Sequence, residues 1–355
     1  MNFEDNVPWG VVADDLTGAC DAGVQFAQRG LRTIVWLNAE AAEIEAADVT
    51  VVTTNSRRDT AETAAVKTRH ACRVLRAAGA RVLYKKIDST LLGNLGPEIE
   101  TVRIEGEFPL AFVTPAFPEM GRTVMNGLLH VRDFGATVDV AERLREQGLE
   151  TLVQRTPGQL GGLREEAGTT VVLDATSRAD LAAIARAAWV MRPRPLLAGS
   201  AGLAAELAAC LTGRATDSGV TCVPNLEADR RRIALIVGST NPVTVRQAEY
   251  AEAHLRGRYP IMRISMEQSP SRVADLSAIL KDARGIVLTG GDTALMVCGM
   301  LEARGIRLER EILPGIPWGR LIGGSAGGTV VATKAGGFGE IDALVRVADF
   351  LAATE

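Results

Sequence analysis

The sequence of 355 residues has few cysteines, few histidines and no long apolar run. Its five cysteines are scattered and form no C-x-x-C pair, so they indicate neither a disulfide framework nor a zinc site. The three histidines, His70, His130 and His254, lie far apart, which argues against a histidine metal cluster. No stretch approaches the roughly 18 apolar residues that cross a bilayer, so we expect no membrane partner.

An excess of charge of one sign is also missing. The formal net charge is -4, so nothing in the composition points to nucleic acid as a partner. The segment Met1 to Pro8 has neither the basic region nor the apolar region of a signal peptide, and a cytoplasmic location is expected. Hydrophobic residues make up 47% and charged residues 23%, as in ordinary globular proteins.

Two common nucleotide fingerprints are absent as well. The chain has neither the G-x-x-x-x-G-K-[ST] spacing of the P-loop nor the G-x-G-x-x-G spacing of dinucleotide-binding folds. The lack of the dinucleotide fingerprint argues against a nicotinamide-dependent oxidoreductase. An assay in which the protein does not oxidise a reduced nicotinamide cofactor would exclude that alternative. Any nucleotide site in this chain must therefore use other turns.

Short apolar strands alternate with helical segments along the chain, which predicts an α/β protein of mostly parallel sheets flanked by helices. The length suggests two domains, and a polar stretch without periodicity separates them. We predict domains over residues 1–215 and 228–355, joined by a linker over 216–227. The pair Asn126-Gly127, between Val124 and Val131, predicts a small antiparallel hairpin within the first domain.

The first strand, Trp9 to Ala13, runs directly into two carboxylates, Asp14 and Asp15, and then into a helix that opens at Thr17. Ligands of open α/β sheets bind beyond the carboxyl ends of the strands. Two adjacent carboxylates repel each other, so we expect a cation, a metal ion or a substrate hydroxyl to compensate them. The alternative is that they only cap the helix, which one of them can do.

Three further strand ends in the first domain carry polar groups, at 55–58, 85–90 and 115–123. Parallel strands end at one edge of a sheet, so these groups can converge with Asp14 and Asp15. Arginine and lysine suit a carboxylate or phosphate, and aspartates suit hydroxyl groups. The mixture therefore fits a small polyhydroxy acid, although each basic residue taken alone can be a solvated loop charge.

Glycine-rich turns follow the strands of the second domain. Gly290 and Gly291 remove side chains where a phosphate could approach the backbone, and the following helix start could receive it with Thr293. Ser239 lies at a similar turn, and a third cluster at 336–339 could lie against an adenine or a ribose. The alternative is ordinary turn glycine, which we favour for the cluster at 323–328.

Five short motifs follow one another along the chain: Ala13-Asp14-Asp15-Leu16-Thr17-Gly18-Ala19, Lys85-Lys86-Ile87-Asp88-Ser89-Thr90, Pro115-Ala116-Phe117-Pro118, Gly290-Gly291-Asp292-Thr293 and Lys334-Ala335-Gly336-Gly337-Phe338-Gly339. In this order they resemble the motifs of the four-carbon acid sugar kinases. The resemblance spans nearly the whole chain, from Val11 to about Leu344. The chain departs from the family where the segment between Ser239 and Gly290 is shorter and the turn at Ser239 is a variant.

The resemblance implies an ATP-dependent kinase that phosphorylates the 4-hydroxyl of a four-carbon sugar acid. It implies that the first domain binds the sugar acid, the second binds the nucleotide, and the active site lies in the cleft between them. The implied substrate-binding residues are Asp14, Arg57, Lys85, Lys86, Ile87, Asp88 and Ser89. The implied ATP-binding residues are Ser239, Gly290, Gly291, Asp292, Thr293, Gly336 and Gly337.

Asp14 and Asp15 are the predicted catalytic residues. One would orient the attacking hydroxyl and accept its proton, and the other would hold Mg²⁺ directly or through water. The metal ligands are otherwise not assigned. D-threonate is the first expected substrate, with D-erythronate and a 3-oxo-tetronate next, and a homodimer is the default assembly. A non-catalytic sugar-acid sensor is the alternative, because it would keep the charged site without tight ATP binding.

Overall fold

The computed structural model describes residues 8–37, 44–132, 135–161, 166–214, 233–255, 257–265 and 270–354. The chain divides into two compact units, Met1–Asp217 and Ser218–Glu355. The linker predicted over 216–227 lies outside the described residues. Among the helices of the ranges just given, none is both long enough and apolar enough to cross a membrane.

The first unit is an α/β structure. Its strands are β1 (Trp9–Ala13), β2 (Thr33–Trp36), β3 (Val49–Thr53), β4 (Arg81–Lys86), β5 (Ala111–Thr114), β6 (Arg122–Met125), β7 (Leu128–Val131), β8 (Ala136–Asp139), β9 (Leu152–Arg155), β10 (Thr170–Leu173) and β11 (Leu196–Gly199). Its helices are α1 (Leu16–Ala27), α2 (Ala61–Ala77), α3 (Leu95–Glu105), α4 (Val140–Arg145), α5 (Arg178–Val190) and α6 (Ala201–Thr212).

The main sheet of this unit has the strand order β2-β3-β1-β4-β11-β5-β10-β9, and its neighbouring strands are parallel. Ala13, at the end of β1, is in register with Thr53 of β3 and Lys86 of β4. These strands are short and buried along almost their whole length, as expected of parallel strands covered on both faces. The three chain segments that leave them therefore emerge side by side.

A second, antiparallel sheet of order β6-β7-β8 belongs to the same unit. Asn126 and Gly127 join β6 to β7 with φ angles of 54° and 75°, the positive values that a two-residue type I′ turn requires. The Asp174 carboxylate accepts hydrogen bonds from both turn amides, at 2.8 Å each. The hairpin predicted from this residue pair is confirmed.

The second unit is also α/β. Its strands are β12 (Ile233–Val237), β13 (Ile261–Arg263), β14 (Gly285–Thr289), β15 (Gly305–Leu313), β16 (Ile316–Ile322) and β17 (Val330–Lys334). Its helices are α7 (Pro242–Leu255), α8 (Pro270–Asp282), α9 (Gly291–Met300) and α10 (Ala343–Ala353). Side chains of α10, among them Leu344, Val347 and Leu351, pack in the buried core with Leu235 and Val287 of the sheet.

Strands β13, β12, β14 and β17 are parallel in that order. β16 pairs antiparallel with β17, and β15 pairs antiparallel with β16. The parallel part agrees with the predicted architecture. Between Gly305 and Ile322, where the sequence pattern predicts no strand, the structure has the hairpin of β15 and β16. Pro317 lies inside β16, and proline inside a short apolar run argues against a strand, so the local sequence does not indicate this hairpin.

Candidate active site

Arg57 joins three carboxylates at the end of β1. Its Nε and Nη2 donate to the two oxygens of Asp14, at 2.7 and 2.9 Å, which is a bidentate ion pair. The same Nη2 donates to Asp15 Oδ1 at 2.8 Å, and Nη1 lies 3.5 Å from Asp88 Oδ2. Arg57 thus supplies the compensation that adjacent carboxylates need, and the structure brings four of the predicted site residues together.

Asp15 also caps helix α1. Its Oδ1 accepts from the Gly18 amide at 2.9 Å, and its Oδ2 accepts from the Thr17 hydroxyl at 2.6 Å. With the Arg57 contact, both oxygens of Asp15 already have partners inside the protein. The capping interpretation therefore holds for Asp15, whereas Asp14 takes no part in the cap.

The charge state of the cluster follows from these contacts. Burial by itself raises the pKa of Asp14, but the charge and hydrogen bonds of Arg57, with help from Lys85 and Lys86, lower it to about 2. Burial disfavours the charged form of Arg57, but the carboxylates of Asp14, Asp15 and Asp88 raise its pKa well above the usual value. At neutral pH Asp14 is a carboxylate and Arg57 a cation.

The two lysines that end β4 have different surroundings. Lys85 is fully buried, and its Nζ lies 2.7 Å from Glu98 Oε2 of α3. Ser56 donates its hydroxyl to the other oxygen of Glu98. Lys86 donates from Nζ to the Ile87 carbonyl at 2.9 Å. Lys85 therefore takes part in an internal ion pair beneath the Arg57 loop.

Lys86 lies close to the start of α1. A Cβ atom on Gly18 would lie 3.1 Å from Lys86 Nζ and 2.4 Å from Asp15 Oδ1. The missing side chain of Gly18 therefore lets the ammonium and the capping carboxylate approach the first turn of the helix. This close packing gives a physical reason for the Thr17-Gly18 pair in the first motif.

We expect Glu98→Gln to lower the free energy of unfolding by about 3 to 5 kcal/mol, because it removes the carboxylate that pairs directly with the buried Lys85. Urea denaturation followed by circular dichroism measures the change. The double variant Lys85→Met/Glu98→Leu should recover much of the loss, since an apolar pair needs no compensation. A loss below about 1 kcal/mol for Glu98→Gln would contradict the importance of this ion pair.

The turn after β4 presents Asp88 to the cluster. Asp88 Oδ1 accepts from the amide and the hydroxyl of Thr90, so its Oδ2 is the oxygen that faces Arg57. The Ile87 amide donates to the Gly199 carbonyl at 2.9 Å, and Ser89 is buried beside it. Ile87 and Ser89 thus shape the turn, and Asp88 carries its charge.

Two residues of this region were not singled out from the sequence. Gly93 has a φ angle of +94°, and a Cβ there would lie 3.1 Å from Asp14 Oδ2. Asn94 donates from its amide nitrogen to the carbonyls of Ser56 and Asp59, at 2.9 Å each, and so anchors the loop that carries Arg57. Gly93 and Asn94 contact residues about 35 or more positions earlier in the chain. A pattern of neighbouring residues cannot reveal such contacts.

In the second unit, the turns that follow β12, β14 and β17 meet at one edge of the sheet. The ends of these strands are in register, Val237 with Thr289 and Thr289 with Lys334. A Cβ on Gly336 would lie 2.5 Å from Ser239 Oγ, and one on Gly238 would lie 1.9 Å from Thr293 Oγ1. Residues Ser239, Gly290, Gly291, Asp292, Thr293, Gly336 and Gly337 are therefore grouped around these turns.

The start of α9 is suited to an anion. Gly290 precedes the helix with a φ angle of +92°, a conformation that glycine adopts without strain. The amides of the first turn have no partners within a helix and carry its positive dipole end. A nucleotide phosphate could accept hydrogen bonds from these backbone amides, because the glycines beside them have no side chains to block its approach.

The described residues do not form a metal site from protein side chains alone. In the portion of the chain that the structure describes, no three His, Cys, Asp or Glu side chains are arranged to hold a metal ion. Mg²⁺ in phosphate-transferring enzymes is commonly held by substrate phosphates, waters and one or two carboxylates.

Comparison with known proteins gives matches over both units. A family model described as a sugar-binding N-terminal domain matches residues 9–151 and 141–207. A family model described as a nucleotide-binding C-terminal domain matches residues 265–344. The Arg57 cluster lies within the first match, and the turns at Gly290 and Gly336 lie within the second.

Several curated relatives match nearly the whole chain. A D-threonate kinase of Bordetella bronchiseptica is 36% identical over 389 residues, covering 96% of each protein. A D-threonate kinase of Salmonella typhimurium is 31% identical and covers 93% of this chain and 95% of its own. A D-erythronate kinase of Heliobacterium modesticaldum is 27% identical, with 96% of each covered.

Solved structures resemble the chain as well. A Haemophilus influenzae protein superimposes with a TM-score of 0.68 at 21% identity, covering 96% of this chain and 100% of its own. A domain of unknown function from Bordetella bronchiseptica, crystallised with citrate as a domain-swapped dimer, is 32% identical with a TM-score of 0.50. That match covers 99% of this chain and 100% of the other.

Proposed function

The chain belongs to the family of four-carbon acid sugar kinases, and from that premise we propose that it uses ATP to phosphorylate the 4-hydroxyl of D-threonate. The observation that carries the proposal is the Arg57 cluster, since it lies in the part of the chain that matches a sugar-binding domain. A guanidinium among carboxylates offers donors and acceptors to a molecule with both a carboxylate and hydroxyls.

Within this cluster the Nη1 atom of Arg57 can donate a hydrogen bond to a ligand. Its Nε and Nη2 are bound to Asp14 and Asp15, whereas Nη1 has only the longer contact with Asp88. The Arg57 side chain keeps 23% of its surface exposed. We assign Nη1 to the carboxylate of the sugar acid, and Asp88 to one of its hydroxyl groups.

Asp14 is the better candidate for orienting the attacking hydroxyl, because its oxygens accept one hydrogen bond each, both from Arg57. Asp15 accepts three, two of them in the helix cap. A carboxylate whose pKa is about 2 is a weak base. Phosphoryl transfer through a loose transition state depends mainly on positioning and charge neutralisation, so a weak base suffices. Asp14 thus accepts a hydrogen bond from the hydroxyl and receives its proton late in the reaction.

ATP would supply the γ-phosphoryl group, and Mg²⁺ would neutralise the negative charge on its phosphates. We assign its phosphates to the amides at the start of α9, from Gly291 to Thr293, and to the neighbouring Ser239 hydroxyl. The backbone at Gly336 and Gly337 lies beside Ser239 and can approach the nucleotide closely for lack of side chains. The location of the active site in a cleft between the domains stays a prediction.

Measurement of ADP release tests the activity and the choice of substrate. The panel contains D- and L-threonate, D- and L-erythronate and their 3-oxo forms, each with Mg-ATP. We expect the highest kcat/KM with D-threonate, because relatives with that name are 36% and 31% identical to this chain. A preference for D-erythronate would contradict the choice of D-threonate and would match the name of the relative that is 27% identical. No turnover with any of these acids would overturn the proposed function.

We propose a homodimer as the assembly. The 32% identical Bordetella bronchiseptica protein is described as a domain-swapped dimer, and its structure matches this chain over nearly all of its length. Light scattering after size-exclusion chromatography should give about twice the mass of one chain, which is 37.6 kDa. A mass of one chain at micromolar concentration would contradict the proposal.

A further inference from the structure

A buried lysine, Lys334, lies under the glycine turns of the second unit. It is the last residue of β17, and its side chain has no exposed surface. Its Nζ donates to Thr244 Oγ1 at 3.0 Å, to the Ala335 carbonyl at 3.0 Å and to the Gly336 carbonyl at 3.2 Å. The ammonium has three donors, so these three acceptors use all of them.

The charge of Lys334 has no counterion among the groups known to face it. Those groups are the Thr244 hydroxyl of α7 and the carbonyls of Ala335 and Gly336, and its register partner on β14 is Thr289. None of them titrates. Burial lowers the pKa of Lys334 to about 7, and no charged group is among the causes of the shift. A neutral amine has one donor fewer, so deprotonation removes one of the three hydrogen bonds.

Lys334 also connects the turns to one another through its backbone. Its carbonyl accepts from the Gly290 amide at 2.9 Å, directly before α9. The Thr244 hydroxyl, which accepts from Lys334, donates in turn to the Gly336 carbonyl at 2.6 Å. One residue therefore contacts the turn before α9, the glycine loop after β17 and the helix that follows the Ser239 turn.

The direction of the loop carbonyls determines the direction of its amides. In a planar trans peptide the C=O and N–H groups point to opposite sides. The Ala335 and Gly336 carbonyls point at the ammonium, so the amides of Gly336 and Gly337 point away from it. Both glycines are half-buried, so these donors lie near the surface of the loop.

We propose that Lys334 is a positioning residue, whose ammonium holds the carbonyls of Ala335 and Gly336 inward so that the amides of Gly336 and Gly337 face the nucleotide. The inference rests on the proposed function, because it assumes that these turns bind ATP. Lys334 itself does not touch the nucleotide. An anion bound to the loop amides favours the charged form of the lysine behind them, so nucleotide binding draws a proton onto Lys334.

Calorimetric titration with Mg-ADP at about pH 8 tests this role, one unit above the pKa of about 7. Titrations in buffers of different ionisation enthalpy give the number of protons taken up. The wild-type protein should take up part of a proton, and Lys334→Met should take up none. Lys334→Met should also raise the Kd for Mg-ADP about 10- to 100-fold, as expected when hydrogen bonds to a charged group are lost. Lys334→Gln keeps two neutral donors, so its Kd for Mg-ADP should lie between those of the wild-type protein and Lys334→Met. It should take up no proton.

Val331→Ala is the matched control, since Val331 is a buried residue of the same strand whose side chain has no hydrogen-bond donor for the loop carbonyls. It should lower the melting temperature while leaving the Kd and the proton uptake unchanged. An unchanged Kd and proton uptake in folded Lys334→Met would overturn the positioning role and leave the kinase proposal intact. Failure of the wild-type protein to bind Mg-ADP would instead overturn the nucleotide site itself, and this inference with it.

Discussion

Asp14→Asn is expected to lower turnover by about 10²- to 10⁴-fold, the range measured when a positioned acid or base is removed. The amide keeps the size of the side chain but loses the charge that binds Arg57 and the oxygen that accepts the hydroxyl proton. Binding of Mg-ADP should remain nearly intact, because the proposed nucleotide turns lie in the other unit. Steady-state ADP release with D-threonate, together with Mg-ADP titration, measures both quantities.

Asp180→Asn serves as the control for the loss of one carboxylate. Asp180 lies in the capping box of α5, where its carboxylate accepts from Thr176 and Ser177. Since Asp180 lies outside the Arg57 cluster, its variant should retain turnover. Unchanged turnover in Asp14→Asn would remove Asp14 from the mechanism.

Arg57→Met should have a comparable effect, lowering kcat/KM for the sugar acid by about 30- to 5,000-fold. Removing one partner of a buried, hydrogen-bonded charge pair costs about 2 to 5 kcal/mol, which corresponds to that range. The variant would leave three carboxylates close together without their shared cation. Arg57→Lys keeps a positive charge but cannot bind Asp14 through two parallel hydrogen bonds, so an intermediate loss is expected.

The pH dependence distinguishes this explanation from simple loss of a substrate contact. In the proposed mechanism the carboxylate of Asp14 is the active form, and its pKa of about 2 keeps it ionised at every pH where the protein is assayed. Without Arg57, burial and the neighbouring carboxylates raise that pKa, and activity is lost as the pH falls through the raised value. The Arg57→Met profile should therefore decline at a pH where the wild-type profile is still flat. Parallel profiles would contradict the role of Arg57 in holding Asp14 ionised.

The beginning of the site was predictable because its signals are local. A buried strand, an acidic residue with capping geometry and a helix start all occur within Trp9 to Ala19. Likewise, the Asn126-Gly127 turn depends on two residues whose backbone preferences are known. In these places the preferences of neighbouring residues are enough to predict the local structure.

The remaining parts depend on contacts between distant residues. Lys85 looks like a substrate ligand in its motif, yet the structure pairs it with Glu98 of a helix that was not predicted. In the sequence Lys334 is only part of a glycine motif, because its burial and its contact with Thr244 of α7 exist only in the folded structure. No spacing rule connects residues 90 positions apart, so these roles required the structure.

Identification of the product from Mg-ATP and D-threonate by ³¹P and ¹³C nuclear magnetic resonance would test the central claim most directly. If the Arg57 cluster binds the carboxylate end of the acid and Asp14 orients the far hydroxyl, the product is the monoester on the C4 oxygen. The phosphorus signal should then couple to the C4 protons, and ADP should form in equal amount. Free inorganic phosphate without an ester, or an ester on another hydroxyl, would contradict this account of the site.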